Sequence, residues 1–485
     1  MSSESPLLGS FIGGAWAGPG AAEAASLNPA RPQQVVGRHA VAGEDDVARA
    51  VEAARGAQRE WWRAGPIARG AILRRAAEII DGRAEELGRL MTREEGKTLP
   101  EAIGEARRAA QVLQYHAAQA WQPVGEVFAS SAPDEEIRTH RVPIGVTAII
   151  TPWNFPLAIP AWKIAPALAY GNTVVWKSAS NVPVMAVEFA RVLVEAGVPD
   201  GVLNLVLGPG RIGDALVNSD VDAISFTGST EIGRGIWAQA TPRGVRVQME
   251  LGGHNAAIVF EDADLDLAAR HVVDGAMLST GQKCTATRRV VVHRLVHDAL
   301  VEKVANLTRQ LRVGDGLEGA QIGPLVSASA RDEVSAAVEA AVGEGCEALV
   351  GGHALDGPEL DGGYYFAPTV LVGVEPSKTI AQEEVFGPVL SVIEVADDEE
   401  ALAVANSTRY GLSAAAFTSD ERRIRRVLDE VNAGLVHINN PTPGAEPHVP
   451  FGGIMASSTQ APPEQGQTAR DFFTELRTAY IRPGS

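Results

Sequence analysis

Hydrophobic residues in the first 120 positions recur at helical spacing. Ile72, Leu73, Ala76, Ile79 and Ile80 follow the i, i+1, i+4, i+7, i+8 stripe of an amphipathic helix. This pattern predicts a mostly helical N-terminal region that packs one face against a core.

From Val146 onward the pattern changes to short β-rich runs that alternate with helical segments. Predicted strands cover residues 146–150, 173–177, 202–206, 223–227 and 245–250. Such alternation is typical of βαβ units, and it predicts a parallel sheet with helices on both faces. By itself the pattern fits any α/β domain.

A second series of strands and helices runs from residue 255 to about 449. It includes a strand over 289–293, a helix that begins near His297 and a helix over 332–342, and it predicts a second α/β lobe. The segments 135–141 and 474–482 alternate polar and apolar residues. They predict an exposed hairpin or arm that pairs with another subunit.

Residues 142–162 carry no charge over 21 positions, which is long enough for a membrane span. Four prolines and Asn154 interrupt this stretch and would leave polar groups unpaired in lipid. The sequence therefore predicts a strand followed by an irregular turn, and no membrane partner is expected.

Composition and charge narrow the class of protein. The chain has 485 residues, of which 45% are hydrophobic and 21% charged, as in globular proteins of roughly three domains. A formal net charge of −18 disfavours nucleic acid as a partner. Two cysteines cannot form a disulfide framework, and no basic residue precedes Arg31, so we expect a cytoplasmic protein with free thiols.

Cys284 is the first candidate for chemistry. It lies in a small, polar segment, residues 280–288, between a predicted helix and a strand, which suits an accessible thiolate. The alternative is a buried cysteine that acts as a small hydrophobic residue, and Cys346 keeps that interpretation.

Two further residues have the chemistry of a catalytic site. Glu250 ends a predicted strand, so its carboxylate lies at the carboxyl edge of the sheet, where ligands bind in open α/β folds. Asn154 offers an amide donor in a proline-rich turn, as an oxyanion site needs. Alone, the first is more often a solvated acid and the second a turn residue.

The turn over residues 226–233 follows a strand and opens a helix. Its backbone N–H groups and the positive end of the helix dipole are able to face a phosphate. No GxGxxG fingerprint accompanies it, so the glycines alone are weak evidence.

Six motifs occur in order along the chain, and together they favour a functional interpretation of these residues over a purely structural one. They are Thr-Pro-Trp-Asn-Phe-Pro at 151–156, Phe-Thr-Gly-Ser-Thr at 226–230, Glu-Leu-Gly-Gly at 250–253, Gly-Gln-Lys-Cys at 281–284, Glu-Glu-Val-Phe-Gly-Pro at 383–388 and Pro-Phe-Gly-Gly at 450–453. Together they resemble the NAD(P)-dependent aldehyde dehydrogenase superfamily over nearly the whole chain.

The resemblance implies an α/β aldehyde dehydrogenase fold with three parts. A Rossmann-like cofactor domain would comprise residues 1–121 and 144–255, and a catalytic α/β domain residues 256–465. A β oligomerisation arm would comprise residues 122–143 and 466–485, so a homodimer or homotetramer is expected.

The same resemblance implies the chemistry. Cys284 would be the nucleophile that adds to an aldehyde, with the oxyanion held by Asn154 and the Cys284 backbone N–H. Hydride transfer would give a thioester, and Glu250 would activate the water that hydrolyses it to a carboxylate. No metal is expected.

The cofactor residues also follow from the resemblance. Lys177 matches the lysine at the adenosine ribose, and Glu384 matches the glutamate at the nicotinamide ribose. The pyrophosphate turn would contain Gly228 and Ser229, with Trp153 and Phe386 lining the cofactor site. NAD-specific relatives commonly carry glutamate where this chain has Ser180, which predicts that NADP is used at least comparably with NAD.

Two positions depart from the common family pattern, namely His254 and Met455, where lysine is usual. The motifs around Cys284 and before Pro450 most resemble dehydrogenases of 2,5-dioxopentanoate, the semialdehyde of 2-oxoglutarate. Glu446 departs from that subgroup and would repel an anionic substrate unless it points outward. A broad-specificity enzyme for aliphatic or aromatic aldehydes is the alternative.

Two more distant alternatives are a catalytically silent binding or structural member and a CoA-acylating enzyme. The presence of Cys284, Glu250 and Asn154 argues against the first. Glu250 argues against the second, because an enzyme that resolves its thioester with a thiol needs no water-activating base.

Overall fold

A seven-stranded sheet contains the strands predicted between residues 146 and 250. The computed structural model describes residues 7–18, 22–459 and 461–482. Across the sheet the strands are Arg246–Glu250, Ala223–Thr227, Val146–Ile150, Thr173–Lys177, Leu203–Val206, Phe11–Ile12 and Ala15–Trp16. The first five are parallel, which confirms the βαβ prediction.

The strand order reverses beside Val146–Ile150. The chain proceeds from this strand to Thr173–Lys177 on one side and returns to Ala223–Thr227 on the other. Such a switch point leaves a crevice at the carboxyl ends of the strands, where ligands of α/β proteins bind. The turns that contain Asn154 and Gly228 begin there.

A second seven-stranded sheet forms the other lobe. Its order is Glu347–Val350, Thr369–Val372, Val389–Val395, Thr287–His293, Asn255–Val259, Ser413–Phe417 and Leu435–Ile438. The first strand is antiparallel and the other six are parallel. Buried apolar residues on both faces bind helices to the sheet, as the near-continuous hydrophobic strands require.

Helices cover both sheets and supply the predicted helical N-terminal region. In the first half of the chain they are Glu44–Arg63, Gly65–Gly82, Ala84–Glu95, Leu99–Ala118, Ala158–Ala169, Pro183–Glu195, Gly210–Val217 and Thr230–Ala240. In the second half they are Leu265–Met277, His297–Arg309, Ala328–Gly343, Thr379–Gln382, Asp398–Ala405, Glu421–Glu430 and Thr468–Phe473. The predicted stripe is confirmed, since Leu73, Ala76 and Ile80 are fully buried.

Three N-terminal strands escaped the sequence prediction. Leu7–Leu8, Arg31–Ala40 and Glu23–Asn28 form a small sheet ahead of the first helix. Register shifts interrupt the antiparallel pair between Ser26 and Asn28. The sequence signal is weak because the buried positions of Glu23–Asn28 are the polar residues Ser26 and Asn28, while Leu27 is exposed.

The predicted arm is a three-stranded antiparallel sheet. Thr474–Ile481 pairs with Glu136–Pro143, which pairs in turn with Val127–Phe128. The domain boundaries remain a prediction, and they also take in residues 1–6, 19–21, 460 and 483–485, which lie outside the described residues. Within the described ranges, no helix combines the length and apolar character needed to cross a membrane.

Candidate active site

Cys284 follows a turn of unusual backbone conformation. Ser279 and Thr280 both have φ of 55°, and Gly281 has φ of 65°. A Cβ on Gly281 would lie 2.1 Å from the carbonyl oxygen of Gly387, so this position requires glycine. The carboxylate of Glu101 accepts a 2.7 Å hydrogen bond from the Ser279 N–H and so fixes the turn before the partly exposed cysteine.

The structure brings Asn154 to this cysteine loop. Its side-chain Nδ2 donates a 2.9 Å hydrogen bond to the carbonyl oxygen of Gln282, two residues before Cys284. The Asn154 side chain is buried, and its amide carries a second N–H. The asparagine amide therefore lies against the cysteine loop with a second N–H that the Gln282 contact does not use.

A buried ion pair, which sequence reasoning missed, supports the Asn154 turn. Lys97 Nζ donates to Glu105 and, over 2.7 Å, to the backbone oxygen of Asn154. Glu105 Oε1 accepts from the N–H groups of Leu157, at 2.9 Å, and Ala158, at 3.1 Å. Charged residues at core-facing positions of a predicted helix were the available sequence signal.

Glu250 ends its strand as predicted and is 4% exposed. Among the residues that the structure describes, its carboxylate accepts two long hydrogen bonds of 3.4 Å, from the Gly453 N–H and the Ser458 hydroxyl. Burial, followed by the charge of Glu464, raises its pKa well above the usual range. A carboxylate with a raised pKa and weak hydrogen bonds is suited to accept a proton.

Glu464 belongs to a second buried ion pair that the sequence did not reveal. It pairs with Lys163, whose ammonium group also donates a 2.9 Å hydrogen bond to Ser225 Oγ. The positive charge of Lys163 opposes the rise in the pKa of Glu250. This ion pair therefore helps to set the protonation of the candidate base.

The cysteine thiol responds to the same carboxylates. Burial, then the charges of Glu384 and Glu250, raises the pKa of Cys284 to about 12. This raised pKa favours the protonated thiol at neutral pH. A nucleophilic thiolate needs a proton acceptor or a positive charge brought into the site.

The turn with Gly228 and Ser229 has the form of a phosphate-binding loop. Ser229 caps the helix Thr230–Ala240 by accepting a hydrogen bond from the Ile232 N–H. A Cβ on Gly228 would lie 2.5 Å from the ring of Phe226, so the turn is too tight for a larger residue. Backbone N–H groups at this helix N-terminus suit a pyrophosphate.

Lys177 ends the strand Thr173–Lys177 and is 7% exposed. Burial lowers its pKa to about 8, although Asp214 opposes the shift. Ser180, three residues later, is exposed and its hydroxyl lies 3.4 Å from Asn181 Oδ1. An anionic partner such as a phosphate would stabilise the charged form of this buried ammonium group.

Trp153, Phe386 and Glu384 share one cavity of about 280 Å³. The two aromatic rings meet edge to face with centroids 5.6 Å apart. Glu384 accepts a 3.3 Å hydrogen bond from the Gly253 N–H, and burial raises its pKa to about 7. Together with the Gly228 turn and Lys177, these residues fit a dinucleotide with a ribose, a diphosphate and a flat ring.

The two departures from the family pattern lie in different settings. His254 is buried, and burial followed by the charge of Arg289 lowers its pKa well below the usual value, so it is neutral. Met455 is half exposed and has φ of 56°. It lines a groove of about 1350 Å³ together with Trp237 and Leu476, apart from the Trp153 cavity.

Comparisons with known proteins agree with this geometry. The chain matches the aldehyde dehydrogenase family over residues 16–479. It is 44% identical to an alpha-ketoglutarate semialdehyde dehydrogenase of Haloferax volcanii, over 97% of this chain and 98% of that one. An alpha-ketoglutaric semialdehyde dehydrogenase of Bacillus subtilis is 43% identical over 98% of each chain.

A solved structure of betaine aldehyde dehydrogenase from Staphylococcus aureus, in complex with NAD+, has a TM-score of 0.94 to this chain. The two are 32% identical, and the match covers 98% of this chain and 94% of that one. The predicted fold is thereby confirmed. The chain belongs to the aldehyde dehydrogenase family of NAD(P)-dependent oxidoreductases.

Proposed function

We propose that this enzyme oxidises 2,5-dioxopentanoate to 2-oxoglutarate, with Cys284 as its nucleophile. The observation that carries the catalytic assignment is the junction of Asn154 and the cysteine loop, where the amide is 2.9 Å from the Gln282 carbonyl oxygen. The thiol also lies within the electrostatic influence of Glu250 and Glu384. These two observations support a shared site for the proposed nucleophile, oxyanion donor and base.

The first half of the reaction is thiol addition. The partly exposed Cys284 thiol loses its proton to solvent water as the sulfur attacks the aldehyde carbon. The C=O π bond breaks to give a thiohemiacetal, whose oxyanion accepts hydrogen bonds from Asn154 Nδ2 and the Cys284 N–H. When bound, NAD(P)+ supplies the hydride acceptor. Trp153 and Phe386, which line one cavity with Glu384, would hold the nicotinamide end, and Glu384 would hold the adjoining ribose.

The second half is hydrolysis of the thioester on Cys284. Glu250 removes a proton from water as the oxygen attacks the thioester carbon. Sulfur leaves as the thiolate, and the acid product departs as a carboxylate. Long hydrogen bonds at 3.4 Å leave the Glu250 carboxylate free for this proton transfer.

At the other end of the cofactor, Gly228 and Ser229 would hold the pyrophosphate, while Lys177 and Ser180 would hold the adenosine ribose. A serine at position 180 does not repel a 2′-phosphate, and Lys177 supplies a positive charge. NADP is therefore used at least comparably with NAD. A large preference for NAD in kcat/KM would reject this part of the proposal.

The choice of substrate rests on the two relatives named for alpha-ketoglutarate semialdehyde, at 44% and 43% identity. Reduction of NAD and NADP is to be measured with 2,5-dioxopentanoate, other semialdehydes, and aliphatic and aromatic aldehydes, with and without CoA. The highest kcat/KM is expected for 2,5-dioxopentanoate without CoA. Higher values for uncharged aldehydes would favour the broad-specificity alternative.

Cys284→Ala is the direct test of the nucleophile. The variant should lose aldehyde oxidation and still bind cofactor, because the phosphate turn and Lys177 are unchanged. Cofactor binding is checked by fluorescence titration. Ordinary turnover by this variant would refute the assignment. A reducing compartment such as the cytoplasm suits the free thiols Cys284 and Cys346.

The arm and the neighbouring groove support a homodimer or homotetramer. Trp237, Ile454, Met455 and Leu476 are each more than 40% exposed, and all line the 1350 Å³ groove beside the strand Thr474–Ile481. Apolar side chains next to an open strand edge are the features that a second copy of the chain would cover. Light scattering at micromolar concentration should give a dimer or tetramer, and a monomer would contradict the proposal.

A further inference from the structure

An ion pair between Arg108 and Glu446 joins two elements on either side of the cysteine loop. Arg108 Nη1 donates to Glu446 Oε2 over 3.2 Å. Arg108 lies in the helix Leu99–Ala118, three residues after Glu105 and seven after Glu101. These spacings place all three on one helix face, which faces the catalytic turns because Glu101 binds Ser279 and Glu105 binds Leu157.

Glu446 belongs to a loop that is fastened beside the nucleophile. Thr442 Oγ1 donates a 2.8 Å hydrogen bond to the backbone oxygen of Thr285, the residue directly after Cys284. Thr442 and Glu446 are four residues apart, so their backbones are separated by at most about 14 Å. The ion pair therefore connects two elements that are each hydrogen-bonded to the cysteine loop, one at Ser279 and the other at Thr285.

We propose that Arg108 binds the distal carboxylate of the substrate and that Glu446 occupies this guanidinium until the substrate arrives. The inference rests on the proposed oxidation of an oxo-acid semialdehyde. Glu446 itself demonstrates that the position accepts a carboxylate. The Arg108 and Glu446 side chains are 30% and 61% exposed, and ion pairs this accessible to water are weak enough to exchange.

Charge and hydrogen-bonding capacity support the same role. The chain carries a net charge of −18, so an anionic substrate needs a local cation near the site. A guanidinium has five N–H donors and matches a carboxylate with two parallel hydrogen bonds. Arg108 uses one donor on Glu446, and replacing that single contact by a paired one favours the substrate.

The test compares two aldehydes of equal chain length, anionic 2,5-dioxopentanoate and uncharged pentanal. Arg108→Gln should lower kcat/KM for the anion at least tenfold more than for pentanal, mainly through KM. Glu446→Gln removes the competing carboxylate and should lower KM for the anion several-fold. Arg107→Gln, an exposed neighbour on the same helix, is the matched control and should change neither substrate.

The inference would be overturned if Arg108→Gln lowered kcat/KM equally for both aldehydes. It would also be overturned if Glu446→Gln raised KM for 2,5-dioxopentanoate. Competitive inhibition by 2-oxoglutarate against pentanal separates this result from the substrate proposal. A wild-type preference for pentanal would refute the substrate, while the inhibition constant still reports carboxylate binding. The constant should rise about tenfold in Arg108→Gln, and an unchanged constant would refute the role of Arg108.

Discussion

Glu105→Gln should impair both the stability and the catalysis of this enzyme, because it breaks the buried ion pair that supports the Asn154 turn. The substitution keeps the side-chain shape and an oxygen that accepts from the N–H groups of Leu157 and Ala158. It removes the negative charge opposite Lys97. The ammonium group then retains Glu95 as a more distant partner, at 3.9 Å.

The expected loss in free energy of unfolding depends on how deeply the ion pair between Lys97 and Glu105 is buried. The Lys97 and Glu105 side chains are each 1% exposed, so water does not screen the loss. Breaking a buried pair by removing one partner costs about 3–5 kcal/mol in free energy of unfolding. Because Glu95 remains, we expect the lower end, about 3 kcal/mol. If Lys97 also shifts away from the Asn154 backbone, part of the oxyanion contribution of about 10²–10³ in kcat is lost as well.

Urea unfolding and steady-state kinetics check the two effects on Glu105→Gln and on the double variant with Lys97→Met. The double variant leaves no ammonium group unpaired, so it should recover at least half of the lost stability. Its kcat should remain at least tenfold low, because Asn154 still lacks its ammonium donor. Wild-type stability and kcat in Glu105→Gln would refute the reasoning, as would a double variant no more stable than the single one.

Three other predictions concern the base and the cofactor. Glu250→Gln should give a burst of reduced cofactor followed by slow turnover, since hydride transfer precedes hydrolysis. If stopped-flow absorbance shows no burst, Glu250 acts before hydride transfer. Glu250 acts only when ionised, and Glu464 adds to the rise in its pKa, so Glu464→Gln should move the ascending limb of the kcat profile to lower pH. Burial lowers the pKa of Lys177 to about 8, so the affinity of the enzyme for NADP should fall as the pH rises through that value. Fluorescence titrations with NADP and NAD across this pH range would contradict the prediction if neither affinity changed.

The parallel strands were predictable because their signal is local. Each of the five runs between residues 146 and 250 is short, contains β-branched residues and is bounded by turn residues, and each forms a strand within a residue of its predicted limits. The N-terminal strand Glu23–Asn28 lacked that signal, since polar Ser26 and Asn28 occupy its buried positions and Leu27 is exposed. Its place in the fold depends on pairing with Arg31–Ala40 rather than on its own alternation.

In the candidate site, too, residues with a local sequence signal could be predicted and residues without one could not. Cys284, Asn154 and Glu250 could be proposed from the sequence because each lies in a motif that can be read from neighbouring residues. Lys97 and Lys163 were missed because their partners are distant in sequence. Lys163 and Glu464 are 301 positions apart, and a sequence read one segment at a time carries no sign that two charges that far apart meet in the interior.

The charge of Glu446, read from the sequence without its partner Arg108, leads to a wrong expectation about anionic substrates. From the sequence, a carboxylate near the substrate opening implies repulsion of an anionic aldehyde. In the structure, Glu446 lies 3.2 Å from Arg108, across 338 positions, so the pair adds no net charge to that opening. The repulsion argument therefore fails in the free enzyme. Once a substrate carboxylate takes the guanidinium, Glu446 must turn towards water, which its 61% exposed side chain can do without crossing the interior.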